Sequence, residues 1–306
     1  MKIIMYFAII GIVVIIFSQK SISAQGCSDA GFCSMNSIKD NEKTDSTSDA
    51  NNQIKFGLNY GTAQNNVLIF TSYGEYSRNI GKKISTSIKL LYSVHHGDIT
   101  TTNGLTDFIV SLNYKLTGNL KVIGGVKIPF NKSNYEENGN SLPMAYQTSL
   151  GTYDVIVGLS QHINLFGITL AIQQPLSENN NTFFWEDFLN NSNYSKFLST
   201  NAYERKGDIL LRLSYYTKFR NDKFVFIPSL LPIYHLGNDT YINKSGVSTK
   251  INGSQGLTLN LNTLLQYKMS KTSYVELSLG APVIARKIRP DGLSQFAIGI
   301  EYVVNF

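Results

Sequence analysis

The chain has 306 residues, with 27 lysines and arginines against 21 aspartates and glutamates, and a formal net charge of +6 at pH 7. Only 16% of the residues are charged and no cluster of basic residues is present, so no nucleic-acid partner is expected. Beyond the N-terminus no apolar run approaches the roughly 20 residues that a membrane-spanning helix needs, which excludes a helical membrane protein.

The first segment has the composition of a secretory signal peptide. Lys2 precedes a largely apolar run over residues 3–17, and the polar stretch that follows closes on small residues at Ala24. This pattern predicts a signal peptide over residues 1–24 that is removed after Ala24. The apolar run is shorter than the roughly 20 residues of a membrane anchor.

Residues 25–52 are rich in Asn, Asp, Ser, Thr and Lys and are expected to form a flexible periplasmic segment. Folding back into the following domain as a plug is the alternative. Cys27 and Cys33 lie close together, and in an oxidising periplasm they are expected to form a small disulfide loop. A lipid anchor on Cys27 has a poor acylation context, and a metal site at the two cysteines lacks further ligands nearby.

From Gln53 onward, segments of about ten residues alternate between apolar and polar positions and are separated by turn residues. The final segment alternates down to a terminal aromatic residue, with Tyr302 in the apolar row and Phe306 at the end. Such a strand is typical of outer-membrane β-barrels, whose outer side meets lipid and whose inner side meets water. The predicted strands cover residues 53–62, 67–77, 83–95, 105–116, 120–130, 152–162, 165–173, 208–218, 223–234, 257–268, 273–283 and 294–306.

The sequence therefore predicts an all-β fold: a transmembrane antiparallel up-and-down β-barrel of about 12 strands over residues 53–306, in the bacterial outer membrane. The connection lengths agree. Every second connection is a tight turn, whereas residues 131–151, 174–207 and 235–256 form long Asn/Ser-rich loops. Outer-membrane barrels have short periplasmic turns and long extracellular loops. In a soluble β-sandwich or propeller, short and long connections have no reason to alternate in this way.

This fold implies partners as well as a location. The barrel is expected to contact outer-membrane lipid and lipopolysaccharide, and to be a monomer. Its last strand, with Tyr302 and Phe306, is the expected assembly signal for the barrel-assembly machinery.

The same alternation assigns the charged side chains to the interior. A charge on the lipid face near the middle of the membrane costs about 2–4 kcal/mol for Arg or Lys, and these residues fall opposite the apolar rows. They form either a network of paired charges or a selectivity lining. The lumen candidates are Lys89, Asp107, Lys115, Lys121, Lys127, Asp154, His162, Arg212, Lys218, Lys268, Glu276 and Glu301.

The loop at 174–207 contains the only tryptophan of the chain. Phe184, Trp185, Phe188 and Leu189 have the spacing of one side of a short helix. They are gating candidates that either fold inward as an apolar lid or rest on the membrane surface. Simple packing among loops is the alternative.

No catalytic set stands out. His95 and His96 adjoin in a strand, and neighbouring strand side chains point to opposite faces, so this pair is a poor chelate. No metal, no cofactor and no enzymatic activity are expected, because no spacing marks a nucleophile with its base.

Four stretches resemble a known family. They are Asn-Gly-Leu-Thr-Asp at 103–107, Leu-Gly-Thr-Tyr-Asp at 150–154, Lys-Gly-Asp at 206–208, and Leu-Gly-Ala-Pro-Val at 279–283 followed by Arg-Pro-Asp-Gly-Leu-Ser-Gln at 289–295. In this order they resemble the outer-membrane transporters of the MetA pathway of phenol degradation, distant relatives of the long-chain fatty-acid channels. The resemblance covers roughly residues 53–306, but not the cysteine-bearing segment or the loop at 174–207.

The resemblance implies passage of small, apolar or aromatic solutes across the outer membrane. We therefore expect a passive channel, narrow because side chains fill much of the interior of small barrels. A structural barrel whose long loops bind a partner is the main alternative, and an outer-membrane enzyme is the third.

Overall fold

The computed structural model describes residues 50–292 and 296–306. The expected signal peptide, the Cys27–Cys33 disulfide and nearly all of the periplasmic segment lie outside these residues.

The described residues form twelve long strands that run up and down in chain order. They are β1 (Asn52–Thr62), β2 (Leu68–Ile80), β3 (Ile84–His96), β4 (Thr101–Lys115), β5 (Leu120–Pro129), β6 (Asp154–Ile163), β7 (Phe166–Pro175), β8 (Asp208–Tyr215), β9 (Phe224–His235), β10 (Gly256–Lys268), β11 (Ser273–Ile284) and β12 (Phe296–Asn305). Thr217–Phe219 prolongs β8 along β9. The remaining elements lie in the loops: two short hairpins (Glu136–Glu137 with Asn140–Ser141, and Thr240–Ile242 with Ser248–Lys250), the 3-10 turns Gln64–Asn66, Met144–Tyr146 and Trp185–Phe188, and the helix Ser192–Ser195.

Each strand pairs antiparallel with its neighbours in sequence, and the first strand pairs with the last. β1 and β12 are in register from Gln53 opposite Asn305 to Thr62 opposite Phe296. Asn52 and Phe306 then exchange two backbone hydrogen bonds, of 3.0 and 2.9 Å. The sheet is thus a closed barrel, and the predicted fold class and strand number are confirmed. No helix among the described residues is long and apolar enough to cross a membrane.

Most strand boundaries differ by one or two residues from those predicted, and the clearest differences lie in β2 and β4. β2 continues to Ile80, beyond the predicted end at residue 77. β4 begins at Thr101 instead of Leu105, and its register with β3 shifts between Leu90 and Tyr92. The irregularity places Thr106 and Asp107 both in buried positions, which breaks the two-residue period from which strands are recognised.

The outer surface of the barrel is apolar. Large side chains that alternate along the strands are exposed there, as in β7, where Phe166, Ile168, Leu170 and Ile172 all face outward. Aromatic residues gather near the strand ends; the Phe166 and Tyr215 rings, for example, lie side by side with centroids 5.2 Å apart. An apolar band with aromatic borders is the lipid-facing surface of an outer-membrane barrel, which agrees with the predicted location.

A charge placed in this band should destabilise the barrel according to its depth. Leu170→Arg, in the middle of β7, is expected to cost about 2–4 kcal/mol, whereas Leu176→Arg, just beyond the strand, should cost about 0–1 kcal/mol. Urea unfolding of the protein refolded into lipid vesicles measures both. Equal losses for the two variants would contradict the assigned membrane position.

Candidate functional site

The structure places every sequence-predicted lumen residue on the inner face of the barrel. Seven of them lie in its buried part: Lys89, Asp107, Lys127, Asp154, Arg212, Glu276 and Glu301. The other five lie near the periplasmic ends of their strands and are more exposed: Lys115, Lys121, His162, Lys218 and Lys268. The candidates therefore divide into a central group (Lys89, Arg212, Glu276 and Glu301), a group nearer the outer end (Asp107, Lys127 and Asp154) and a group at the periplasmic mouth.

The central group contains two further charges that the sequence analysis missed, Lys55 and Glu75. Glu75 lies opposite Lys89 on adjacent strands, and its carboxylate is 4.0 Å from the Lys89 Nζ atom. The same ammonium lies 3.5 Å from the centroid of the Tyr73 ring, a cation–π distance. The inner position of Lys55 could have been predicted from the sequence, because Lys55 lies between the outward-facing residues Ile54 and Phe56 in β1. Glu75 was harder to find, since the outer row of β2 is interrupted by Ser72 and Gly74.

The side chain of Tyr73 extends along the inner surface of the barrel from β2, over β1, to β12. Its hydroxyl donates to the carboxylate of Glu301, although β1 lies between these two strands. The crossing is possible because β1 has a glycine at this point: a Cβ on Gly57 would lie 2.2 Å from the Tyr73 ring. Glu301 in turn lies directly opposite Glu276 of β11, which accepts a 2.8 Å hydrogen bond from Gln266.

A second polar group lies nearer the outer end, where β5, β6 and β7 adjoin. The Nζ atom of Lys127 is 3.2 Å from the carboxylate of Asp154. The same carboxylate accepts hydrogen bonds from Thr152 (2.6 Å) and from Gln173 (2.5 Å). All four side chains are essentially inaccessible to solvent. This ion pair meets the requirement that buried charges be paired and hydrogen-bonded.

Between the charged groups the inner wall is apolar on the side formed by β2 to β9. One side chain or two from each of these strands contributes to a contiguous buried cluster. Its members are Tyr73, Leu91, Ile109, Ile123, Ile156, Ala171, Leu210, Leu231 and Ile233. The lumen thus combines an apolar wall with charged and polar groups, the mixture by which binding sites for organic molecules hold and orient their ligands.

At the outer end of the barrel, residues 142–152 fold inward and are buried throughout. His95 hydrogen-bonds the carbonyl oxygen of Ala145 at 2.8 Å, and Thr102 donates to that of Tyr146 at 2.5 Å. Gly292 lies against the same segment, where a Cβ would come within 2.5 Å of the Ala145 nitrogen. The neighbouring His96 instead contacts Thr101 on the exposed side, so the two histidines diverge. Among the described residues no group of three or more potential ligands could hold a metal ion.

The loop at 174–207 covers the inward segment. The sequence predicted that Phe184, Trp185, Phe188 and Leu189 lie on one side of a short helix, and the structure contains only part of this pattern. Residues 185–188 form a 3-10 turn, Leu189 is 68% exposed, and the central buried ring is that of Phe183. Phe188 stacks on Tyr194, with ring centroids 4.2 Å apart. The aromatic groups pack among the loops because the chain turns too tightly to place a single helical face against them.

Three loops are joined at the mouth by a buried ionic network. His235, at the end of β9, has one ring nitrogen 2.7 Å from Asp208 and the other 2.7 Å from Asp239. Arg205 lies 2.5 Å from Asp208 and 3.6 Å from Asp291. The connections at 176–207, 236–255 and beyond β11 are therefore held to each other and to the ends of β8 and β9.

Asp291 is the point where three arginines converge. Arg286 binds its carboxylate at 2.5 Å, and Arg289 lies 3.7 Å away. Burial alone would raise the pKa of Asp291, but the guanidinium groups of Arg286, Arg289 and Arg205 hold it well below its usual range. The carboxylate therefore stays ionised and compensates part of the positive charge of the three buried guanidinium groups.

Comparisons with known proteins agree with the barrel fold. No family model matches the chain, and no curated protein matches it. Among solved structures, the COG4313 outer membrane channel from Pseudomonas putida F1 is 12% identical, with a TM-score of 0.53 over 84% of this chain and 96% of that chain. The NanC porin is 11% identical at a TM-score of 0.46 (83% and 98% covered), and the CymD monoaromatic hydrocarbon channel 9% identical at 0.43 (85% and 90% covered). The first likeness shows the fold; the other two are too distant to add to it.

The Tyr73 crossing can be tested by filling the space at Gly57. Gly57→Ala is expected to destabilise the barrel by about 1–3 kcal/mol, because the added methyl group overpacks against the tyrosine ring. In a Tyr73→Ser background the same substitution should cost less than about 0.5 kcal/mol, since the obstructing ring is gone. Unfolding in lipid vesicles of the four proteins measures this coupling. Additive losses would show that the two residues do not meet.

The mouth network should weaken when its shared carboxylate is neutralised. Asp291→Asn removes a charge that faces three arginines, and breaking such a buried pair costs about 3–5 kcal/mol. We expect faster trypsin cleavage after Lys206 and Lys287 in the folded protein. The control is Asp187→Asn, which breaks the half-exposed pair with Lys244 and should leave cleavage unchanged. Identical cleavage of both variants would refute a structural role for the network.

Proposed function

We propose that the chain is a passive outer-membrane channel for small solutes, with an outer mouth closed by residues 142–152. The observation that carries this proposal is the charge inside the barrel. Six ionisable side chains are buried in the middle of the lumen: Lys55, Glu75, Lys89, Arg212, Glu276 and Glu301. Replacing a buried ion pair by apolar residues is often neutral or stabilising, so stability alone gives no reason to keep these groups there. A lumen that admits water and solute gives a reason to keep charged groups there.

We further propose that the solutes have an apolar or aromatic part. The cluster that includes Tyr73, Ile156 and Leu210 provides an apolar wall in the lumen. Membership in the MetA-pathway-like transporter family, proposed on the short motifs of the sequence, points to the same solutes. Closure by residues 142–152 makes the outer mouth the controlling barrier, because this segment is held by side-chain contacts, such as those of His95 and Thr102, and not by strand pairing with the barrel sheet.

Two expectations about assembly accompany this function. The last strand, with Tyr302 and Phe306 facing outward, is proposed to be recognised by the barrel-assembly machinery. The continuous apolar exterior leads us to propose a monomer surrounded by lipid and lipopolysaccharide.

The channel function is tested by removing the proposed closure. Residues 143–149 are replaced by a Gly/Ser linker of the same length, and conductance is measured in planar bilayers with the purified protein. Because this segment occupies the mouth, the variant is expected to conduct roughly tenfold more than the original chain.

The matched control replaces residues 243–249, an equally long and largely exposed loop segment, and should conduct like the original chain. If neither the original chain nor the opened variant passes current or solute, the barrel is not a channel. The partner-binding alternative would then take its place.

A further inference from the structure

Positive charge is concentrated at the periplasmic end of the barrel. The five turns there and the strand ends beside them carry nine cationic side chains among the described residues. Among the described residues, Asp222 is the only acidic side chain in the same turns. The cations are Lys82, Lys83, Lys115, Lys121, Lys218, Arg220, Lys223, Lys268 and Lys271.

Several of these cations are direct neighbours across strands. Lys115 of β4 and Lys121 of β5 are register partners, and the Lys115 amide donates at 2.8 Å to the carbonyl oxygen of Lys83. On the other side of the barrel, the Lys268 amide donates at 2.9 Å to the carbonyl oxygen of Lys223. Like charges directly opposite each other destabilise a sheet. The paired lysines therefore lower the stability of the fold, and a functional reason is needed to explain them.

The side chains in the strands face the lumen and not the lipid. Lys121 shares the inner face of β5 with Ile123, and Lys268 shares that of β10 with Gln266, both of which are buried inside. Alternation along a strand keeps such residues on one face. The lysines of the strands therefore face the periplasmic mouth of the lumen and not the lipid.

The rest of the channel does not share this excess. In the middle of the lumen three cations face three glutamates, and at the outer mouth the arginines lie against Asp208, Asp239 and Asp291. Charges within a Debye length of about 10 Å at 0.1 M salt act together on a passing ion. A cleft lined by one sign of charge concentrates ions of the opposite sign.

We propose that the periplasmic mouth is an anion-attracting ring and that the channel prefers small organic anions with an apolar body. The lysines recognise the anionic group, and the apolar wall above them accommodates the remainder. This inference rests on the proposed channel function, which it deepens by assigning a charge to the solute.

Reversal potentials in phosphatidylcholine bilayers test the charge preference. With the opened variant in a KCl gradient centred near 0.1 M, chloride should pass at least about threefold more readily than potassium, and the ratio should approach one near 1 M because salt screens the ring. Lys115→Gln with Lys121→Gln should reduce the ratio about twofold, and Glu at both positions should reduce it further. The control, Lys250→Gln with Lys287→Gln, removes the same charge from the outer loops and should not change it.

Liposome uptake tests the organic part with two permanently charged aromatic probes, benzenesulfonate and benzyltrimethylammonium. The sulfonate should enter faster, and the two lysine substitutions should reduce the difference. No current and no uptake from any variant would refute the channel itself. Current with a selectivity that ignores Lys115 and Lys121 would refute only the anion ring. An anion preference that disappears when phosphatidylglycerol is added would assign the lysines to lipid headgroups and equally overturn the inference.

Discussion

In a hydrocarbon environment every backbone N–H and C=O group must find a partner within the protein, and this constraint governs the whole structure. The chain meets it by joining β12 to β1, which removes both free edges of the sheet. Once the cylinder is closed, each strand has one side toward lipid and one toward the interior. The two-residue alternation of the sequence, the apolar exterior and the charged lumen all follow from that closure.

The interior is organised along the barrel axis into parts with different charge balance. At the outer mouth, His235 and three arginines are surrounded by aspartates that join the loops into one packed cap. In the middle, three cations and three glutamates balance in number beside an apolar wall, with Glu75 and Lys89 opposite each other on neighbouring strands. At the periplasmic end, lysines stand next to lysines. The charge balance of the interior therefore changes from compensated at the outer end to strongly positive at the periplasmic end.

The fold was predictable from the sequence because the barrel depends on local periodicity. Alternation, turn spacing and loop length located all twelve strands and the inner position of Lys127, Asp154 and Glu301. The inward position of residues 142–152 was not predictable, because it depends on contacts with residues that are distant in sequence. Nothing in residues 142–152 indicates that His95 and Gly292 will hold them inside. The helix expected around Trp185 failed for the same reason, since tertiary packing on Phe183 outweighed the local spacing. The inner position of Lys55 could have been predicted from the alternation of β1. The contact of Tyr73 with Glu301 could not, because it depends on the register of three strands.

That contact has a mechanical consequence. Any barrel made from a single chain has one joint between strands that are far apart in sequence, and here it is the line between β1 and β12. Only backbone hydrogen bonds would normally resist the separation of such strands under lateral tension. The ring of Tyr73 lies across this line from inside and ties the second strand to the last. Under lateral tension another pair of neighbouring strands should therefore separate before β1 separates from β12.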